Sequence, residues 1–127
     1  MQIRYEFDRA HGRLITHADG VITFHDIDAH LDVEQRKRAL ELPELFDARG
    51  ATTDLTTDQV RKLVDRATDM LRVVDIGATA VVTDDPALYG MARMYAQLAD
   101  RVGISAAVFR DVRAAARWLD RFDLDGD

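Results

Sequence analysis

The chain has 127 residues, 47% of them hydrophobic and 31% charged, with a net charge of −6 and no cysteine. That describes one ordinary globular domain with room for a real core. It excludes disulfides, thiolate metal sites and cysteine nucleophiles. The acidic balance argues against nucleic acid as a main partner, because neutralising phosphates needs a basic footprint.

Ile3, Tyr5 and Phe7 alternate with polar residues, the period-2 signature of a half-buried strand. A turn at 8–12 returns the chain into a second strand over 13–18, giving an antiparallel hairpin closed by Asp19-Gly20. Thr23, with Asp26 three residues on, opens a first helix whose apolar stripe is Phe24, Ile27 and Leu31. Residues 42–46 form the next strand, with Pro43 tolerated at its start. An acidic, glycine-bearing loop follows. Thr56 and Gln59 then form a capping box for a long helix whose apolar residues Val60, Leu63, Val64, Ala67, Met70 and Leu71 recur at helical spacing.

Asp75-Ile76-Gly77 ends that helix, and 78–83 is a small, β-branched run suited to a strand covered on both faces. Asp85 as cap and Pro86 at the first position start a third helix. Leu88, Met91, Ala92, Tyr95, Leu98, Ala99 and Val102 form its inner face, and Gly103 stops it. Residues 104–109 are a last strand, and Asp111 caps a final helix. The order β-β-α-β-α-β-α-β-α predicts an α/β fold. Its mixed sheet has an antiparallel amino-terminal hairpin, then parallel strands, with helices covering at least one face. Residues 1–122 make one domain, and 123–127 read as a frayed acidic tail.

In such sheets ligands gather at loops beyond the carboxyl ends of strands, which directs attention to Asp47, Arg49 and Gly50. Asp47, Asp84 and Asp85, with Arg49 or Arg93 steering an anion, would be the carboxylates of a Mg²⁺-dependent hydrolase. Against this, Asp84 and Asp85 are explained by the helix they open, and the two lysines, Lys37 and Lys62, lie on helix surfaces. His30 shares helical spacing with Asp26 and Glu34, but three ligands on one helix are poor geometry for zinc, so that set reads as a solvated face. No metal and no cofactor is expected. On the third helix, Gly90, Arg93, Met94 and Gln97 point away from the core with Tyr89 on the flank. An outward methionine beside arginine and tyrosine has the composition of an interface.

The strand Leu45-Phe46-Asp47, the glycine three residues later, and Asp54-Leu55-Thr56-Thr57 before a helix resemble the STAS domains of anti-sigma-factor antagonists. More narrowly, Phe46-Asp47-Ala48-Arg49-Gly50 and Tyr89-Gly90-Met91-Ala92-Arg93-Met94 resemble the SpoIIAA-like branch, which is grouped with STAS and CRAL-TRIO folds. The resemblance implies an interaction or regulatory module. STAS antagonists carry Asp-Ser-Ser/Thr-Gly at this helix start. Here leucine replaces the first serine and the glycine is missing, so Thr56 and Thr57 read as caps rather than phosphoacceptors.

The expectation is a non-catalytic, cytoplasmic, bacterial protein-binding module, degenerate at the phosphoacceptor position and working through a protein partner or a homodimer. Its binding residues would be Asp47, Arg49, Gly50, Thr56, Tyr89, Gly90, Arg93, Met94 and Gln97. The alternative is a carrier of a small apolar ligand or lipid, as CRAL-TRIO relatives are; weak Mg²⁺-dependent hydrolysis is the third. No apolar run approaches the roughly 20 residues of a membrane helix, so no membrane insertion is expected, and the start of the chain shows no signal-peptide pattern.

Overall fold

The computed structural model of the chain describes residues 2–122; the acidic tail expected at 123–127 lies outside them. The elements are β1 (Gln2–Asp8), β2 (Arg13–Ile22), α1 (Phe24–Arg36), β3 (Glu44–Asp47), β4 (Ala51–Thr53), α2 (Thr57–Met70), β5 (Thr79–Val82), α3 (Pro86–Asp100), β6 (Ala106–Phe109) and α4 (Val112–Asp120). The strands form one mixed sheet in the order β1-β2-β3-β5-β6. β1 and β2 are antiparallel, with Tyr5 opposite Thr16, and the remaining pairings are parallel.

The helix starts follow the capping residues. Thr23 and Asp26 satisfy each other's backbone at α1, and Thr56 and Gln59 do the same at α2. Asp85 accepts the Leu88 N–H at 2.9 Å, with Pro86 supplying a first position that needs no donor. The Asp111 carboxylate accepts from Arg113 and Ala114 at α4.

Two differences from the sequence-based expectation concern the segments between elements. β2 does not stop at Ala18 but continues through Gly20, at φ +73°, to Ile22, and there pairs with β4, a short strand inside the stretch expected to be loop. Three residues carry too little alternation to be read as a strand; β4 exists because β2 runs on to meet it. Gly50, at φ +83°, makes the reversal between β3 and β4. The second difference is at the end of α3, where Val102 is exposed rather than inward, because the helix ends at Asp100, two residues short of it.

Alternation along the strands sends side chains to two different layers. Leu45, Ala80 and Val82 face α4 and pack on Ala115 and Leu119, with Phe109, Trp118 and Phe122 around them. Phe46 and Ala18 face the other way, toward Ile22, Ala48, Ala51 and Leu88, with Ile27 and Val81 at the edge. Helices α1, α2 and α3 cover this second face. α2 and α3 meet through Ala67, Ala99 and Ile104, while Arg66 of α2 holds α1 through the carboxylates of Asp28 and Asp32. So the sheet has one helix on one side and three on the other.

Candidate functional site

The three-helix side of the sheet is not filled. Between α1, α2, α3 and the strands lies a cavity of about 140 Å³, lined mainly by apolar side chains including Ile27, Leu63, Val81, Leu88 and Met91. Leu40, Leu42 and Gly77 also line it. Gly77 donates its N–H to the Leu40 carbonyl at 2.8 Å. A Cβ there would sit 2.3 Å from the Leu42 carbonyl oxygen, so the close approach requires glycine.

Set into this apolar wall are three buried polar side chains, His30 and Glu34 of α1 and Glu44 of β3. One helical turn separates the first two, which places both over the start of β3. His30 Nε2 lies 3.0 Å from Glu44 Oε2 and 3.4 Å from Glu34 Oε1. The Thr16 hydroxyl donates to Glu44 Oε2 at 2.5 Å. The imidazole stands between the rings of Tyr5 and Phe46, with centroids at 6.1 and 5.8 Å, which fixes its plane.

The two carboxyl groups are not equivalent. Burial, reinforced by the neighbouring Glu44 charge, pushes Glu34 up to about 11, so it carries a proton at neutral pH. Burial alone would raise Glu44 as well. Hydrogen bonds from His30, Glu34 and Thr16 outweigh it and hold Glu44 below the usual carboxylate range. The Tyr95 phenol on the cavity wall is pushed up to about 12, by burial and then by the two glutamates. The cluster thus offers a carboxylate, a neutral carboxyl group, an imidazole and a phenol in or beside an otherwise apolar space.

This corrects the sequence reading of α1. His30 and Glu34 do share a face, but that face is buried against Glu44, not solvated, while Asp26 belongs to the helix cap. Glu44 lies outside the residues the sequence marks as candidates. Its signal was an acid in phase with Phe46 on a covered strand, where a carboxylate must find partners.

The residues expected at the strand ends serve separate contacts. Arg49 grips Asp47 with Nε on Oδ1 at 2.9 Å and Nη2 on Oδ2 at 2.8 Å, and His17 Nδ1 approaches at 3.6 Å. Burial acts to raise the Asp47 carboxyl, but the Arg49 bonds prevail and lower it. Asp84 accepts from the Gly50 N–H at 3.5 Å, and Asp85 caps α3. Thr56 is likewise committed to the α2 capping box. On α3, Gly90, Arg93 and Gln97 are exposed and Met94 is half-buried. The Tyr89 ring lies under the Arg110 guanidinium at 4.1 Å.

No helix among the described residues is long and apolar enough to cross a membrane. No protein-family model and no curated protein matches the chain. Among solved structures it is similar to an uncharacterised protein of the DUF3478 family, with a SpoIIAA-like fold, from Shewanella loihica PV-4. The two share 18% identity and a TM-score of 0.58 over 93% of this chain and 92% of that one. At that identity the likeness speaks for architecture, and it agrees with the antiparallel hairpin, the parallel strands and the four helices. The chain has a SpoIIAA-like fold.

Proposed function

We propose that the chain is a non-catalytic binding module that holds one small, mostly apolar molecule between the sheet and helices α1–α3. The observation that carries this reading is the combination of an apolar cavity with a few convergent polar groups at one place in its wall, the usual make-up of a small-molecule site. About 140 Å³ is close to the roughly 150 Å³ of an engineered cavity that takes up benzene. It falls short of the several hundred cubic ångströms of a site for larger ligands. The occupant is therefore an aromatic ring or a short chain with one polar group, smaller than a membrane lipid. Its polar group would meet Glu34 and Glu44, while Met91, Ala92 and Leu63 hold its apolar part.

Other elements support binding over catalysis. Asp47, Asp84 and Asp85 are engaged in an ion pair, a loop contact and a cap, which leaves no shared focus for Mg²⁺ among them. The Thr56 hydroxyl accepts the Gln59 N–H, so its role in the structure is that of a helix cap.

The test fills the cavity. Ala92→Phe should abolish saturable binding of a single-ring aromatic probe such as phenol, read by calorimetry, with an unchanged circular dichroism spectrum. Equal probe binding by both proteins would end the cavity reading.

A second reading, partner binding or self-association through α3, is favoured by one observation. Gly90 is exposed, and a Cβ there would meet nothing within 4 Å. The chain's own packing therefore gives no steric reason for glycine at a position where it costs about 1 kcal/mol relative to alanine. Met94→Glu with unchanged mass in solution would count against that surface.

A further inference from the structure

We propose that His30, Glu34 and Glu44 bind a divalent transition-metal ion whose remaining coordination positions open into the cavity. This goes beyond the ligand reading, since the ion would sit in the wall whether or not the cavity is occupied.

Geometry is the first support. Ligand atoms about 2.1 Å from a tetrahedral zinc lie roughly 3.4 Å from one another. His30 Nε2 is 3.4 Å from Glu34 Oε1 and 3.0 Å from Glu44 Oε2, and one atom from each of the three residues falls within 4.8 Å of the others. Small side-chain rotations suffice to bring all three onto one ion. They come from two rigid elements, a helix and a central strand, rather than from loops, which is how precise sites are built.

Charge is the second. Two glutamates are buried side by side with one imidazole, and the nearby arginine, Arg66, is turned to Asp28 and Asp32. Two carboxyl groups enclosed together are costly unless a cation joins them. A dication between them compensates both carboxylates at once. Imidazole with carboxylate suits zinc, iron or manganese better than calcium, which prefers more oxygen ligands.

The surroundings complete the site. Thr16 donates to Glu44 Oε2 and sets its orientation, as outer partners of metal ligands do. Tyr5 and Phe46 hold the imidazole plane. Three protein ligands and an apolar space leave a position for water or for the polar group of a bound molecule. That is the pattern of an open site rather than a closed structural one.

The experiment uses the full chain, stripped with chelator and then titrated with Zn²⁺ by calorimetry and with Co²⁺ by visible absorption. One ion per chain is expected, with a Co²⁺ ligand-field spectrum that an imidazole ligand produces. Glu34→Gln, which keeps shape and hydrogen bonding, should weaken binding by at least about tenfold while circular dichroism is unchanged. His30→Gln should remove the imidazole contribution to the spectrum. The exposed His11–Asp8 pair, at 2.8 Å, is the competing surface site. His11→Ala should leave binding intact.

No saturable binding of either ion would overturn the proposal. So would equal binding by wild type and Glu34→Gln, or loss of binding only in His11→Ala. Because probe uptake and metal uptake are read separately, an Ala92→Phe protein that keeps the metal but loses the probe distinguishes this site from the cavity's ligand.

Discussion

Glu44 and Asp47 are both buried on the same four-residue strand, yet they face opposite layers and behave as opposite kinds of acid site. Glu44 points into the three-helix side, where its partners are Thr16, His30 and Glu34 and the walls are apolar. Asp47 points to the other face at the strand's carboxyl end, where Arg49 reaches it from an exposed loop. The end closer to solvent is satisfied by a permanent cation in its own chain. The interior end sets two acids against an imidazole and a hydroxyl, and settles by keeping a proton. Satisfaction at the rim is local in sequence; satisfaction in the interior is assembled from β2, α1 and β3.

The largest expected effect is at the interior end. Glu44→Ala should destabilise by about 3 kcal/mol, because it leaves Thr16, His30 and Glu34 buried without their common acceptor. Asp47→Ala should cost about 1 kcal/mol, since Arg49 is half-exposed and simply returns to water. Chemical denaturation of both variants checks the ratio. Equal losses would mean that the interior cluster is no more demanding than a surface pair.

The pH dependence should have opposite signs at the two ends. In metal-free protein, Glu34 has a raised native pKa of about 11. Its contribution is therefore fully present below the unfolded carboxyl value near 4.5 and is lost as pH rises toward the native value. Asp47 has a lowered native pKa, so its contribution is present above about 3.8 and is lost as pH falls through the native value. Glu34→Gln should flatten the decline in thermal stability above about pH 4.5, and Asp47→Asn should flatten the acid limb. Melting curves across pH would expose a wrong assignment if either variant changed the other limb.

A smaller effect should come from Thr56. Thr56→Ala removes one reciprocal pair at the start of α2 and should cost about 1 kcal/mol. Thr56→Asp should recover most of it, because aspartate also caps and favours the helix amino terminus. Failure of aspartate to rescue would point to a role for the threonine beyond the cap.

Much of the fold was legible because its signals are local. Thr23 with Asp26, Thr56 with Gln59, and Asp85 with Pro86 each mark a helix start within four residues, and the structure places all three as read. The alternation of Ile3, Tyr5 and Phe7 marked a strand, and the element order implied parallel pairing after the hairpin. The Asp47–Arg49 ion pair is likewise local, since only one residue separates the two. β4 was not legible, since a three-residue strand is defined by its neighbour's hydrogen bonds and not by its own pattern.

What the sequence determined by itself was the kind and order of the elements, because caps, breakers and periodicity act over a few residues. What only the tertiary structure decided was which acids are exposed and which are enclosed. His30 and Glu34 have the same helical spacing on a wet face as on a dry one, and nothing within their turn distinguishes the two. The distinction comes from Glu44, ten residues beyond Glu34, which β3 brings beneath that turn while α2 and α3 shut out water. Burial sets the energy of a charge, and burial is a property of the packed layers, so the candidate site appears only when the helices have closed over the sheet.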